Sequence, residues 1–383
     1  MRGHIVKRGN NSYSIVLSLG YDPKAGRYKQ QWVTVKGTKK DTEKRLAELL
    51  HQLDTGAYMK PGKTTVADYL NQWLVEYVKP NLSPRGFERY QGIITKHLIP
   101  NFSNIPLTQL RPEHLQKHYT SWLNNGLSAR TVRYHHAVIH KALQVALTWG
   151  LVSRNVADGV NVPRIRRNEM QTWDEHEIFR FLEAAKDSPY YVLFYTALFT
   201  GMRRSELLAL RWQDIDFIFS QVYVNRSLHH LKDGSYVFTQ TKSAKSRRTI
   251  ALSPSAILTL REYKENQVLE RAMLGIPLKD DDLIFSTLEG NPLRPNTITR
   301  SWTTLAARAG VKVIRLHDAR HTHASLMLKQ GIHPKIVQER LGHASIQMTL
   351  DTYSHVVPGL QQAAAESFDK ILMRENATIK NYL

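Results

Sequence analysis

Proline and glycine punctuation divides residues 64–160 into four helices, which leaves no room there for a sheet. Val66, Leu70, Trp73, Leu74 and Tyr77 recur at helical spacing. Ser83-Pro84 is an N-cap followed by proline at the first helical position. The helix behind it carries Phe87, Tyr90, Ile93 and Ile94 and is expected to end near Pro100. Pro112 opens a third helix, closed by Asn124-Asn125-Gly126. Ser128 opens a fourth, with Val132, Ile139, Leu143, Ala146 and Trp149 on its apolar side and Gly150 at its end. Its exposed face is expected to carry Arg130, Arg133, His136 and Lys141.

A charged helix face is usually just a solvated one. Composition shifts that weighting. The 383 residues hold 53 Lys and Arg against 33 Asp and Glu, a formal charge of +20. A polyanionic partner is the simplest account, because each cation laid on a phosphate releases counterions. Arg130, Arg133 and Lys141 are therefore candidate contacts to a nucleic acid backbone.

Two further blocks flank the helical one. Residues 1–63 hold thirteen Lys and Arg against five Asp and Glu, a net +8. Ser12 to Leu19 and Tyr28 to Val35 read as strands about the turn at Gly20 to Gly26, and Ile5 to Lys7 as a third. Asp41 opens a helix with Leu46, Leu49, Leu50 and Leu53 on one face. A small basic sheet with one bracing helix suits a DNA groove; a structural cap is the duller reading. Residues 161–171 read as a basic linker, in which Arg164, Arg166 and Arg167 are candidate phosphate contacts.

Residues 172–357 are expected to form a mixed α/β domain. Thr172 with Glu175 reads as a capping box starting a helix through Ala185, and Tyr190 to Phe199 as a very apolar helix. Gln221 to Leu228, Tyr236 to Gln240 and Arg248 to Leu252 read as three antiparallel strands. Helices follow from Pro254, Pro295, His317 and Pro334. Residues 358–383 form a tail in which Leu360, Ala364, Phe368, Ile371 and Leu372 share one helix face. The fold class expected is thus multidomain and mainly α with small β-sheets.

The reactive residues all lie in the last large block. Thr200-Gly201-Met202-Arg203-Arg204-Ser205-Glu206, His317-Asp318-Ala319-Arg320-His321, Leu341-Gly342-His343-Ala344-Ser345 and Asp351-Thr352-Tyr353-Ser354-His355 supply a phenol, arginines, histidines and a carboxylate. A phosphodiester is anionic and resists attack. A phenol with a pKa of about 10 needs charge neutralisation at phosphorus, a proton acceptor and a protonated leaving oxygen. Arg203 and Arg320 are the candidate neutralisers, since a guanidinium binds two phosphate oxygens at once and stays charged. His317 precedes Arg320 by three residues on one helix face, and His343 sits in a Gly-His turn. Singly, each residue has a dull reading: Arg203 with Glu206 as a surface ion pair, Tyr353 as one of seventeen tyrosines. Their order and spacing together outweigh it. His321 and His323 lack a carboxylate at ligand spacing, so no metal site is expected.

These segments, with Thr241 to Leu252 (TKSAKSRRTIAL), resemble the tyrosine recombinases of the phage-integrase type. The resemblance covers residues 64–357 well. Residues 1–63 are similar, less sharply, to the family's arm-type DNA-binding domain, and 64–160 to its SAM-like core-binding domain. It implies Tyr353 as the nucleophile forming a 3′-phosphotyrosine, and Arg203 and Arg320 as holders of the scissile phosphate. Lys242 would be the general acid, with Lys245 close by. His317 would assist proton transfer, His343 would bond a non-bridging oxygen, and Glu206 would orient the site. No ATP or other cofactor is implied. The partners implied are double-stranded DNA at attachment sites and a homotetramer on it, with an excisionase or host DNA-bending factor in addition. The tail would dock on a neighbouring protomer. A type IB topoisomerase and a catalytically silent DNA-binding regulator are the competing readings. The chain lacks cysteine, a signal-peptide h-region and any apolar run of about 18 residues, so the cytoplasm is the expected location, a bacterial cytosol or nucleoid.

Overall fold

The computed structural model describes residues 3–22, 26–54, 63–165, 170–240, 247–353, 365–366 and 368–369, with the backbone alone at 19, 20, 22, 27, 52 and 351–353. The chain divides into two compact units, 1–167 and 168–383.

The first unit opens with a three-stranded antiparallel meander of Gly3–Gly9, Ser12–Asp22 and Arg27–Lys36. Register sets Ile5 opposite Ile15 and Ile15 opposite Val33. That apolar face packs on Leu46, Leu49, Leu50 and Leu53 of the helix Lys39–Asp54. The helix begins before Asp41, because the Asp41 carboxylate accepts from the Thr38 backbone N–H at 3.0 Å and hydroxyl at 2.6 Å. Asp41 thus caps the first turn from inside it.

The second helix of the block ends near Pro100 as expected, at Phe102, but not by stopping at the proline. Proline cannot donate to the carbonyl four residues back and clashes with it. Here the helix widens instead. Leu74–Val78 and Ile94–Leu98 are π-helical, and the residues before Pro80 and Pro100 donate five residues back, Lys79 to Leu74 and Ile99 to Ile94. The helices therefore run on as Lys79–Asn81 and Ile99–Phe102. Pro112–Asn124 and Ala129–Thr148 follow, the second capped by the Ser128 hydroxyl accepting from the Thr131 N–H. Trp73, Tyr69, Phe102 and Tyr119 are buried between them, and the Tyr69 hydroxyl donates to the Ala142 carbonyl.

Arg130, Arg133 and Lys141 are exposed on Ala129–Thr148, and Arg164 is exposed beyond it; Arg166 and Arg167 lie outside the described residues. His136 departs from expectation. It is half-buried, with Nδ1 3.0 Å from the Tyr119 hydroxyl.

Beside it lies a buried histidine cluster. His135 is 3% exposed, its ring centroid 4.4 Å from that of His97 and 5.0 Å from that of Trp122. Burial, then the neighbouring His97, push its pKa down to about 4. Burial also lowers His118 and His136. Each folded pKa lies below the unfolded value, so the stabilising contribution is present above about pH 6.5 and drains away as pH falls towards the folded value. Melting curves from pH 7.5 to 5.5 should show falling stability, by up to about 1.4 kcal/mol per pH unit for each such histidine. His135→Phe should flatten that slope; an unchanged slope would clear His135 of the effect.

The second unit starts with the helix Glu175–Ala185. Its capping box is Asp174 with Glu177, not Thr172 with Glu175: Asp174 accepts from the Glu177 N–H at 2.7 Å and Glu177 returns the bond at 3.0 Å. The helix then begins after Trp173, whose ring stacks on Trp302 at 4.8 Å in a core shared with Phe181 and Phe194. Tyr191–Thr200, almost wholly buried, and Arg204–Leu207 follow.

The expected strand from Gln221 to Leu228 is two strands in two sheets. Gln221–Val224 pairs with Arg248–Ala251 and with a short strand Ile215–Asp216, whereas among the described residues Arg226–His230 pairs with Tyr236–Gln240 alone. The break falls at Asn225. Its side-chain amide donates to Asp214 at 3.1 Å, and Arg226 Nε donates to the Ala209 carbonyl at 2.6 Å, which draws the chain out of the first sheet. Pro254–Met273, Pro295–Arg308, Asp318–Lys329, Pro334–Leu341 and Ile346–Tyr353 complete the unit. Among the described residues no helix is long and apolar enough to cross a membrane. The tail's apolar face lies outside them, except Phe368, which is exposed.

Candidate active site

Helix ends meet in the second unit. Tyr191–Thr200 stops at Gly201, whose φ of 64° is the left-handed conformation that turns the chain to Arg203. Pro334–Leu341 stops in the same way at Gly342, φ 65°, and presents His343. Between them stands the start of Asp318–Lys329, with His317 at its N-cap and Arg320 in its first turn. Asp318 anchors that start through a bidentate pair with Arg315, at 2.9 and 2.8 Å.

Arg320 is 3% exposed and ties the two turns together. One Nη donates to the Gly201 carbonyl at 2.9 Å, the other to the Leu341 carbonyl at 2.6 Å. Arg203 is more open. Its Nη1 donates to Glu206 at 2.7 Å, its Nη2 to the Gly342 carbonyl at 3.4 Å, and its side chain is 35% exposed. The Arg203–Glu206 pair is no surface ion pair, because Glu206 is 2% exposed. Burial alone would raise the Glu206 carboxyl. Hydrogen bonds and charge from Arg248, then Arg203, outweigh burial and hold it at about 2, so it stays ionised.

The histidines respond to the same cations. Burial first, then Arg320, lowers His317. Burial, then Arg320 and Arg203, pushes His343 down to about 3. His321 is pushed down to about 4 by burial and then by His317, whose ring lies edge-on 5.2 Å away. These imidazoles are therefore neutral at physiological pH, burial lowering each of them first and the charge of the nearby arginines adding to it. His343 Nδ1 lies 2.9 Å from the Thr349 hydroxyl, in the helix that ends with Tyr353 four residues later. The Tyr353 side chain, Lys242 and Lys245 lie outside the described residues. Among the described residues no group of three His, Asp or Glu gathers as metal ligands. His323 is a packing residue, its Nδ1 2.9 Å from the Leu198 carbonyl and its Nε2 2.9 Å from Arg340 Nε.

Arg203, Glu206, His317, Arg320 and His343 are thus brought together. Sequence reasoning missed Arg248, Arg340 and Thr349. Arg248 had a signal: it shares strand phase with the buried Ile250, so an arginine was due to point inward.

Residues 171–358 match the phage integrase family, and residues 65–123 match the phage integrase N-terminal SAM-like domain. The chain is 25% identical to a tyrosine recombinase XerC-like protein of Caldanaerobacter subterraneus, covering 96% of this chain and 98% of the relative. It is 28% identical to the ICEBs1 integrase of Bacillus subtilis, covering 96% and 100%. In fold it is similar to the Tn1549 transposon integrase in complex with a circular intermediate DNA, with a TM-score of 0.67 at 19% identity, covering 80% of this chain and 100% of that one. It also resembles a lambda integrase tetramer bound to a Holliday junction, TM-score 0.58 at 18% identity, covering 91% and 94%. A buried arginine cradle on this fold defines a phosphodiester-handling enzyme. The chain belongs to the phage integrase family of tyrosine recombinases.

Proposed function

We propose that this chain is a site-specific DNA recombinase that integrates or excises a mobile element. The gathering of Arg203, Arg320, His317 and His343 beside the helix ending in Tyr353 carries the reading. The Tyr353 oxygen attacks the scissile phosphorus, and the P–O5′ bond breaks. His317, neutral through burial and the arginine field, takes the phenol proton. Lys242 protonates the leaving 5′-oxygen. The 3′-phosphotyrosine keeps the energy of the broken bond, so rejoining is the same step reversed with another strand's 5′-hydroxyl. Arg203 and Arg320 hold the charge that builds on the non-bridging oxygens. Neutral His343, with Nδ1 2.9 Å from the Thr349 hydroxyl, donates a hydrogen bond to one of them from Nε2 in the tautomer that protonates that nitrogen. Glu206 orients Arg203.

Two strand exchanges between paired sites pass through a Holliday junction and call for a tetramer on double-stranded DNA. The exposed tail residue Phe368 fits docking on a neighbouring protomer. Direction is set by an excisionase or a DNA-bending host factor, and the work is done in the cytoplasm. Residues 1–63 bind arm-type DNA, residues 64–160 the core site, residues 161–171 link them to the catalytic domain 172–357, and 358–383 form the exchanged tail. Arg130, Arg133, Lys141, Arg164, Arg166 and Arg167 contact phosphates. Changing Arg130, Arg133 and Lys141 together to alanine should weaken binding for all sequences and reduce the slope of log affinity against log salt by about 3. An unchanged slope would remove that helix face from the interface.

The deciding experiment uses a labelled duplex spanning the junction of the excised circular element, nicked near the cleavage point so that the freed fragment diffuses away. An SDS-resistant adduct at the 3′ end of the cut strand, with a free 5′-hydroxyl on the released fragment, formed with a chelator present and no ATP, is the expected result. Relaxation of a supercoiled plasmid lacking the site would favour the topoisomerase reading. Tight binding with no adduct would favour the regulator.

A further inference from the structure

We propose that Arg248 is a positioning residue that fixes the phosphate-holding geometry of Arg203 through Glu206; the proposal rests on the recombinase reading above. Arg248 begins the strand Arg248–Ala251 and its side chain is 5% exposed. Its Nη2 donates to Glu206 Oε2 at 2.8 Å and its Nη1 to Oε1 at 3.2 Å. The same carboxylate accepts from Arg203 Nη1 at 2.7 Å and from the Arg203 backbone N–H at 2.9 Å. Four donors fill the four lone-pair positions of one carboxylate. Glu206 is thereby immobile, and Arg203 is held by a fixed anchor.

Arg248 also reaches the second turn of the site. Its Nε donates to the Arg340 carbonyl at 2.7 Å, three residues before His343. Its Cδ packs so closely on Gly342 that an added Cβ there would lie 3.0 Å away. The Arg340 side chain carries the link onward, donating to the Phe199 carbonyl at 3.0 Å and the Ala251 carbonyl at 2.9 Å. One planar guanidinium thus joins the elements bearing Arg203, His343 and the return strand after Lys242. A lysine ammonium cannot bridge both carboxylate oxygens and a carbonyl in one plane.

Among the described residues, loss of Arg248 leaves Arg203 as the one remaining counter-charge of the Glu206 carboxylate, so the Arg203 guanidinium turns from the phosphate towards Glu206. The defect then belongs to charge neutralisation at phosphorus and not to protonation of the leaving group. Replacing one non-bridging oxygen of the scissile phosphate by methyl gives a neutral methylphosphonate that needs little neutralising, whereas a 5′-bridging sulfur removes only the need for the general acid. The test measures single-turnover cleavage of a saturating nicked duplex carrying the circle junction, with phosphate, methylphosphonate or bridging sulfur at the scissile position, for wild type, Arg248→Gln and Arg248→Lys. On phosphate, both variants should be slower by about 100-fold. On methylphosphonate they should come within about ten-fold of wild type, and bridging sulfur should not rescue them. Equal losses on phosphate and methylphosphonate, full activity of either variant on phosphate, or rescue by sulfur would each overturn the proposal. A wild-type chain that forms no adduct on any of the three overturns the functional reading itself, and the role of Arg248 with it.

Discussion

Tyr353→Phe should eliminate the covalent protein–DNA adduct and leave DNA binding within a few-fold of wild type. The substitution removes one oxygen and keeps the ring, so the packing volume at the end of the helix Ile346–Tyr353 is almost unchanged. Without that oxygen no ester to phosphorus can form, and the cation cradle has nothing to activate. Loss of a nucleophile that acts with the rest of its site as one unit costs about 10³-fold or more. Binding instead draws on cations spread along a chain of charge +20, most of which the substitution does not touch. The measurement pairs a gel shift on intact duplex with an SDS gel on nicked duplex. A phenylalanine variant that still yields the adduct would assign the nucleophile to another residue.

Gly201→Ala should cost about 2–5 kcal/mol of stability and most of the cleavage activity, through two separate effects. At φ 64° a Cβ crowds the backbone, at about 1–2 kcal/mol. That Cβ would also lie 2.8 Å from His323 Cδ2 and 2.8 Å from Leu341 Cδ2, and Leu341 is fully buried. Forcing them apart adds about 1–3 kcal/mol. The same shift moves the Gly201 carbonyl that Arg320 holds at 2.9 Å, so the cradle opens together with the core. Gly310→Ala is the control. Its φ is 63°, but nothing lies within 4 Å of the added atom, so only the backbone penalty applies. Denaturant midpoints compare the two. A Gly201 variant as mild as the Gly310 variant would show that the turn yields at no cost.

Several elements were legible in the chain because their causes are local. Pro334–Leu341 begins at its proline and stops at its glycine, as the residues indicate. Ser128 and Pro112 open their helices for the same reason, since caps and fixed φ act over three or four residues. Where sequence reasoning erred, a longer-range partner had intervened or a local rule admitted two outcomes. The second helix of the helical block does end near Pro100, but the residues gave no sign that it widens before the proline, with Ile94 and Leu98 buried at the two ends of the π segment. Thr172 and Asp174, on either side of Trp173, can each cap a helix, and burial of that tryptophan against Trp302 placed the cap at Asp174 and not at the expected Thr172.

Residue chemistry by itself pointed to the groups proposed to meet a phosphodiester: two arginines, two histidines and a terminal-half phenol at spacings that suit helix ends, on a chain of charge +20. Tertiary structure decided how those groups are held. Glu206 became a buried carboxylate shared by two guanidiniums, Arg320 a strut between two left-handed turns, and Arg248 part of the site. The physical reason is range. A cap or a helical period is set by residues within a turn of one another, whereas the protonation and orientation of a buried charge are set by whatever the fold brings within hydrogen-bonding distance, here an arginine 42 residues away in sequence.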